Sequence, residues 1–168
     1  MALREYRRKR DFARTPEPRG GRRRRRTREP VFVVQRHSAR SLHFDFRLQH
    51  GSVLWSWAVP KGPSRDPRVK RLAVRTEDHP LAYARFAGVI PVGEYGAGKI
   101  AVWDRGTWRP CGDPELGLAR GVLEFALDGE KLHGRWHLVR MRERRGSARE
   151  SWLLFKGRDT DRCGTLPP

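Results

Sequence analysis

The chain is poor in cysteine: only Cys111 and Cys163 occur among its 168 residues. They form no CxxC pair or other spacing typical of metal ligands, so the sequence predicts neither a disulfide framework nor a zinc knuckle. No apolar run approaches the length needed to span a bilayer, and the first ten residues, MALREYRRKR, lack the apolar stretch of a secretory signal. We therefore expect a soluble protein in a reducing compartment.

Negative charge is also scarce. The 19 Asp and Glu residues are outnumbered by 37 Lys and Arg, which gives a formal net charge of +18, and only six of the basic residues are lysine. Arginine is better suited than lysine to bidentate binding of phosphate. A field this positive favours a polyanionic partner, most simply nucleic acid, over a basic surface that only keeps the protein soluble.

The basic residues are concentrated at the N-terminus, since residues 1–30 contain 13 Lys or Arg and 4 Asp or Glu. The segment TPEPRGGRRRRRTREP is rich in Pro, Gly and Arg and has no apolar periodicity. We interpret residues 1–30 as a basic arm, partly flexible, that can settle on a phosphate backbone; a solubilising tail is the alternative. Residues 31–168 then form the folded domain.

The hydrophobic fraction is low at 37%, but six Trp and seven Phe provide bulky material for a core. From residue 31 onward, short segments rich in β-branched and aromatic residues alternate with turns rich in Gly and Pro. About eight such segments predict a mainly β fold, an antiparallel barrel or sandwich. We also expect one or two short helices: DHPLAYARFAG is a candidate for one, and DPELGLARG is interpreted as a further turn.

The segment RHSARSLHFDFRLQH alternates charged and apolar residues. On a strand, His43, Asp45 and Arg47 share one face, and a turn at SARS would bring His37 beside His43. Two histidines and a carboxylate form a ligand set that leaves coordination positions open and suits manganese, iron or zinc. Arg47 could bind a phosphate oxygen next to it. From the pattern alone, the charged outer face of an ordinary strand is an equally good interpretation.

A second polar pattern is RLAVRTEDHP, residues 71–80. As a strand it places Arg71, Arg75 and Glu77 on one side and ends at His79. Histidine is the side chain best suited to proton transfer near neutral pH, and Arg71 would add positive charge near a phosphate. Pattern alone favours the simpler interpretation, a hydrogen-bonded turn histidine with two surface arginines.

The segment GEYGAGK resembles a nucleotide-binding loop. Gly93 to Lys99 satisfies GxxxxGK, but Ile100 occupies the position where a P-loop requires Ser or Thr, and a strand follows instead of a helix. We reject a nucleotide-binding loop and predict a glycine-bearing hairpin turn.

Taken together, these stretches resemble the 3′-phosphoesterase module of bacterial DNA ligase D, a family that also occurs as stand-alone proteins. The resemblance runs from about residue 3 to 159 and is carried by YRRKRDFARTPEP, FVVQRHSARSLHFDFRL, SWAVPKGPSRDPRVKRLAVRTEDHPLAYARFAGVIPVGEYGAGKIAVWDRGTW and WLLFKGRD. It implies a small β-barrel with a metal-containing site in a groove, and a protein of the prokaryotic cytosol or nucleoid.

The resemblance also implies an activity. Members of the family remove a 3′-terminal ribonucleoside from a primer-template to leave a 3′-phosphate, and then remove that phosphate to leave a 3′-hydroxyl for a ligase in end joining. Manganese is the usual metal. The implied partners are DNA or DNA/RNA primer-template 3′ ends, with a DNA ligase and end-binding repair proteins in trans. Because the sequence contains no ligase or polymerase segment, we expect the chain to act alone or in trans.

Residue roles follow from the motifs of the family. The resemblance makes His37, His43 and Asp45 the metal ligands, and Arg47 and His79 the phosphate-binding and catalytic pair. The supporting positions that it implies are Arg71, Glu77 and Tyr83 for catalysis, Gln35, Lys61 and again Arg71 for substrate binding, and Asp11 and Glu17 as further contributors from an N-terminal motif that folds over the site.

A protein of a different class remains the alternative: a non-catalytic basic β-barrel that binds DNA ends and scaffolds repair partners. Phosphate binding alone needs Arg and Lys but no metal triad. The combination of His37, His43 and Asp45 with Arg47 and His79 therefore favours the enzyme.

Overall fold

Nine antiparallel β-strands dominate the computed structural model, which describes residues 3–21, 29–142 and 149–158. They are β1 (Val31–Ser38), β2 (Leu42–His50), β3 (Val53–Val59), β4 (Arg71–Pro80), β5 (Gly88–Ile90), β6 (Gly98–Pro110), β7 (Val122–Gly129), β8 (His133–Arg140) and β9 (Ser151–Lys156). Eight of them coincide with the segments whose β-branched and aromatic residues predicted strands, and only the three-residue strand β5 was not predicted.

Eight of these strands close into a barrel. The hydrogen-bonded order is β1-β2-β3-β4-β9-β8-β7-β6, and β6 pairs back onto β1. Strand β6 is long enough to pair with β7 near its end and, at its start, with the short extra strand β5. The predicted mainly β fold, an antiparallel barrel of about eight strands, is therefore confirmed. The segment GEYGAGK spans most of the loop between β5 and β6 and the first two residues of β6, so the prediction of a hairpin turn there is also confirmed.

Large aromatic side chains fill the barrel. Trp57, Trp108, Trp136 and Trp152 are fully buried and belong to one core cluster. Truncating one such side chain to alanine typically costs about 3–5 kcal/mol, so a few tryptophans compensate for the low hydrophobic fraction.

The helices are short. The segment proposed to hold a helix contains a 3-10 helix at Leu81–Arg85, as predicted. The interpretation of DPELGLARG as a turn is wrong, because Pro114–Arg120 form an α-helix, α2. The carboxylate of Asp113 accepts hydrogen bonds from the first backbone N–H groups of α2, and Gly121 ends it with a φ of 83°. A further helix, α1 (Arg4–Arg8), was not predicted and brings the described total to three short helices.

The N-terminal segment, residues 3–21, packs on the outside of the barrel. The ring of Tyr6 in α1 is fully buried in a second apolar cluster with Leu54 and Tyr83. Thr15 and Glu17, which fall within the arm predicted to be partly flexible, are buried as well. The arginine run, residues 22–28, lies outside the described residues. The part of the arm that is described therefore belongs to the folded unit.

Cys111, directly after β6, is disulfide-bonded, a bond that the cysteine spacing did not indicate. Within the described ranges, no helix has the length and apolarity to cross a membrane.

Candidate metal centre and phosphate groove

Strands β1 and β2 bring the predicted metal ligands together. In their antiparallel register, His37 lies directly opposite His43, and Gln35 opposite Asp45. Directly paired residues project from the same face of a sheet, so these four side chains form one patch. Residues 39–41 make the predicted turn between the strands. The opposite face of β2 carries Phe46 and Leu48 into the barrel core, which anchors the strand.

Asp45 lies between the two histidines. Its Oδ2 is 3.5 Å from Nδ1 of His37, and its Oδ1 is 3.4 Å from Nε2 of His43. One ligand atom from each of the three residues lies within 4.8 Å of the other two. These N–O distances are long for hydrogen bonds, but they suit two ligands that each lie about 2.1 Å from a shared cation.

Backbone carbonyls orient both imidazoles. Nε2 of His37 is 2.7 Å from the carbonyl oxygen of Gly96, and Nδ1 of His43 is 3.3 Å from that of Ser41. When each of these nitrogens carries the donated proton, the other ring nitrogen presents a lone pair towards Asp45. Metal-binding histidines commonly use this arrangement. The donor set therefore fits a divalent transition metal, with Nδ1 of His37, Nε2 of His43 and the Asp45 carboxylate as ligands.

The electrostatics keep Asp45 ionised. Burial opposes its charge, but the positive charge of Arg47 and the two neighbouring imidazoles of His37 and His43 outweigh burial and hold the pKa of Asp45 well below its ordinary range. The neighbouring Asp45 carboxylate favours a protonated imidazole and raises the pKa of His43 against the opposing effect of burial. The centre is thus a site for positive charge, which either a proton or a metal cation supplies.

Arg47 is almost completely buried beside this centre, with a side chain 3% exposed. Its Nε donates to Oε1 of Gln35 at 2.8 Å, and its Nη2 is 3.5 Å from Oδ2 of Asp45. Its Nη1 is buried and has no hydrogen-bond partner. A buried guanidinium N–H without a partner, next to a candidate metal centre, is suited to a phosphate oxygen.

His79 lies on the neighbouring part of the same face. Where β3 pairs with β4, Leu54 is opposite His79 and Ser56 is opposite Thr76, so β4 contains one extra residue at this point. This bulge places His79 and Thr76 on the face that carries Arg47, which is paired with Ser56. The sequence pattern could not reveal this, because the extra residue is recognised only from the pairing.

His79 is neutral in this setting. Burial, together with the positive charges of Arg47 and Arg10, holds its pKa well below the usual value. Its Nδ1 is 2.8 Å from the carbonyl oxygen of Glu77, and its Nε2 is 3.4 Å from the guanidinium of Arg10. The proton is therefore on Nδ1, and Nε2 is an acceptor.

The N-terminal segment reaches the site through a network of ion pairs. Nε of Arg10 is 2.8 Å from Glu17, and its Nη1 is 3.2 Å from Glu77, which also binds Nζ of Lys9 at 3.1 Å. The Tyr83 hydroxyl donates to Glu17 at 2.8 Å. Burial opposes the charge of Glu77, but hydrogen bonds and its two basic partners outweigh burial and lower its pKa. The predicted Glu17, Glu77 and Tyr83 are thus brought to the site, whereas Arg10 was missed.

A groove of about 560 Å³ opens beside this network. Its walls combine one candidate metal ligand, His43, with residues of β4 and side chains of the N-terminal segment. Among the residues that line it are Lys9, His43, Arg75, Thr76, Glu77 and Tyr95.

Three other predicted residues are not in contact with the cluster. Lys61 is exposed in the turn after β3, and the described residues include no hydrogen-bond partner for it. Arg71 is opposite Leu154 at the far end of β4 from His79, and its Nε is buried without a partner. Asp11 is exposed, and its carboxylate accepts the N–H of Ala13. Their functional roles stay predictions.

Two contributors were missed for physical reasons. Arg10 is one of many arginines in the sequence, and only the docking of Tyr6 brings it to Glu17 and Glu77. Gly96 acts through its carbonyl, which leaves no side-chain signal. A signal did exist in its loop, because Gly96 and Gly98 have φ values of 73° and 140°. A Cβ at Gly98 would come within 2.1 Å of the Ser38 carbonyl, so the loop can lie against β1 only with glycine there.

Fold and site together define a closed β-barrel protein with a candidate transition-metal centre and a neighbouring anion site. The chain belongs to the DNA ligase D 3′-phosphoesterase domain family, whose model matches residues 35–140. This confirms the resemblance. All three candidate metal ligands, with Arg47 and His79, lie inside the matched range.

The relatives are large multifunctional proteins. The chain is 56% identical over 158 residues to the multifunctional non-homologous end joining protein LigD of Pseudomonas aeruginosa. The aligned region covers 94% of this chain and 19% of the relative. It is 46% identical over 147 residues to the LigD proteins of Mycobacterium bovis and Mycobacterium tuberculosis, with coverage of 82% of this chain and 18% of each relative. The chain therefore spans about a fifth of the length of these relatives.

Proposed function

We propose that this chain is a hydrolase that processes the 3′ ends of nucleic acid strands, with a divalent transition metal held by His37, His43 and Asp45. The observation that carries the proposal is the buried, unpartnered Nη1 of Arg47 beside the cluster of three ligands. A buried donor without a partner, next to three candidate ligands, is suited to a phosphoryl oxygen, and a simple phosphate-binding surface would need no histidine pair.

The proposed reaction has two steps. In the first, water attacks the phosphorus that joins the terminal ribonucleoside to the strand, the P–O5′ bond breaks, and the nucleoside leaves with a 3′-phosphate remaining on the strand. In the second, water attacks that phosphate, the P–O3′ bond breaks, and inorganic phosphate and a 3′-hydroxyl are formed. When bound, a metal such as manganese supplies a Lewis acid that polarises the phosphoryl group and lowers the pKa of a bound water.

Each residue of the site has a task in this proposal. Nη1 of Arg47 donates to a phosphoryl oxygen and balances the charge that develops there. Gln35 holds that guanidinium through Nε, and its own amide is held by the carbonyls of Tyr83 and Phe86 at 2.7 and 3.0 Å. Neutral His79 has its lone pair on Nε2, which faces the Arg10 guanidinium at 3.4 Å. A hydroxyl or water that displaces this long contact would donate to the same lone pair, so His79 is not the acid in this state.

The remaining predicted residues act at greater distance. Glu77 and Tyr83 anchor the N-terminal segment over the site through Arg10 and Glu17. Lys61 follows Pro60, which lines the groove, and we assign it a contact with the strand backbone. Arg71 is retained as a phosphate contact further along β4.

The relatives carry names that refer to non-homologous end joining, which supports a role in DNA repair. We propose that the substrate is a DNA or DNA/RNA primer-template end in the prokaryotic cytosol or nucleoid. The 3′-hydroxyl product would be sealed by a DNA ligase acting in trans, with end-binding repair proteins.

The test offers the purified chain, with manganese, a labelled primer-template that ends in a ribonucleotide or in a 3′-phosphate. We expect both ends to be converted to a 3′-hydroxyl, and His43→Ala or a chelator to abolish conversion. His133→Ala is the matched control, because His133 is an exposed histidine outside the groove. If neither end is trimmed, and His43→Ala binds the duplex as tightly as the wild type, the chain is instead a scaffold that binds DNA ends.

A further inference from the structure

Tyr95 is the only tyrosine, phenylalanine or tryptophan among the described residues that line the groove. Its side chain is 48% exposed, although it belongs to a loop whose Gly96 carbonyl holds a candidate metal ligand. Neither the ligand set nor the anion site uses this ring.

The ring is held in place from the N-terminal segment. Nζ of Lys9 lies 4.9 Å from the ring centre and 3.4 Å from the hydroxyl, and the guanidinium carbon of Arg10 lies 5.3 Å from the ring centre. Cation–π contacts of this kind fix the position of an aromatic ring without covering it completely. Tyr95 is therefore a positioned ring that remains about half exposed.

Its backbone is one residue from the candidate metal centre. The Gly96 carbonyl accepts from His37 at 2.7 Å, and consecutive Cα atoms are about 3.8 Å apart. A nucleoside joined to a phosphate at that centre would thus have the Tyr95 ring close by. The surrounding groove wall combines charged side chains such as Lys9 and Glu77 with the aliphatic residues Ala58, Pro60 and Val74, and the described part of it contains no second Tyr, Phe or Trp ring.

Nucleobases need such a surface. They stack on aromatic side chains whatever their sequence, because each base has a π face. Resting on the function proposed above, we propose that Tyr95 is the stacking platform for the base of the 3′-terminal nucleoside, the one that leaves when the P–O5′ bond breaks.

The two substrates distinguish base stacking by Tyr95 from a role of Tyr95 in binding or hydrolysis of both ends. An end with a terminal ribonucleoside carries a base beyond the reacting phosphate, whereas an end with a 3′-phosphate does not. Stacking on Tyr95 therefore assists removal of the nucleoside and is irrelevant to removal of the phosphate.

The experiment measures steady-state kinetics of the full chain with manganese on both ends, for the wild type, Tyr95→Ala, Tyr95→Phe and Val92→Ala. We expect Tyr95→Ala to raise KM for the ribonucleoside end about 10- to 100-fold, with a smaller effect on kcat, and to leave the 3′-phosphate end unchanged. Tyr95→Phe keeps the ring and should match the wild type. Val92, 96% exposed on the same loop and outside the groove, is the matched control.

A terminal ribose without a base provides a second measurement. We expect the KM of the wild type to rise on this abasic end by the same factor by which Tyr95→Ala raises KM on the normal ribonucleoside end. The KM of Tyr95→Ala should be the same on the abasic and the normal end. An equal loss on both normal ends, or an abasic penalty that persists in Tyr95→Ala, overturns the stacking role while the proposed hydrolase stands. A wild type inactive on both ends overturns the proposed function and this inference with it.

Discussion

At the scale of single residues, the site depends on how the three nitrogens of Arg47 are divided. Nε is bound to Gln35, Nη2 faces Asp45, and Nη1 has no partner. Because Gln35 is itself bound to two backbone carbonyls, the guanidinium cannot easily rotate. A fixed donor that awaits an anion is pre-organised, and pre-organised donors stabilise a transition state more than mobile ones.

This geometry predicts the effect of Arg47→Lys. A lysine keeps the positive charge near Asp45 but cannot bind Gln35 and a phosphate oxygen in the same fixed orientation. We expect kcat/KM on a 3′-phosphate end to fall about 100-fold, while manganese affinity, measured by calorimetry, stays close to that of the wild type. Lys131→Arg, the reverse exchange on an exposed loop outside the groove, is the control. Full activity of Arg47→Lys would show that charge alone suffices at this position.

At the scale of elements, the strands and the face of β2 that carries His43, Asp45 and Arg47 could be predicted, because side-chain alternation on a strand is local. The contribution of β4 to the site could not be predicted from the sequence. An extra residue opposite β3 changes which side chains share a face, and nothing in RLAVRTEDHP marks it. The docking of α1 was missed for a related reason, since Tyr6 becomes a core residue only when Leu54 and Tyr83 receive it.

The junction of the N-terminal segment with β4 depends on Glu77. The folded protein lowers its pKa below the ordinary value of 4.5, so its charge stabilises the fold fully above that pH, and the contribution is lost as pH falls through the lowered value. At neutral pH we expect Glu77→Gln to reduce the free energy of unfolding by about 1–3 kcal/mol, because Lys9 and Arg10 lose a buried partner.

The pH dependence distinguishes this ion pair from a packing effect. Urea denaturation should show a difference between Glu77→Gln and the wild type that is constant above pH 4.5 and shrinks in more acidic buffer. Glu130→Gln removes an ion pair that is largely exposed on both sides and should have little effect at any pH. A difference that is independent of pH would mean that the Glu77 charge is not the cause.

At the scale of the whole molecule, positive charge and the groove have separable tasks. The net charge of +18 attracts a polyanion over a distance, whereas the centre and Arg47 act on one phosphate. Residues 3–21 take part in the site itself, so removal of the complete arm would damage the fold as well as the electrostatics. The arginine run at 22–26 is the part of the arm whose charge can be changed without touching the docked segment.

Replacing Arg22 to Arg26 with glutamine should therefore weaken duplex binding without loss of activity on a bound end. Each phosphate contact released by the change reduces the slope of log affinity against log salt concentration by about 0.9, so titrations at several salt concentrations count the contacts of the run directly. The value of kcat should stay unchanged, because Arg10, Arg47 and the three ligands are untouched. Arg105→Gln with Arg109→Gln removes exposed charge from β6 outside the groove and tests whether net charge alone is responsible. If the salt slope of the five-residue variant equals that of the wild type, the run does not contact the strand, and duplex affinity must come from the barrel and the docked segment.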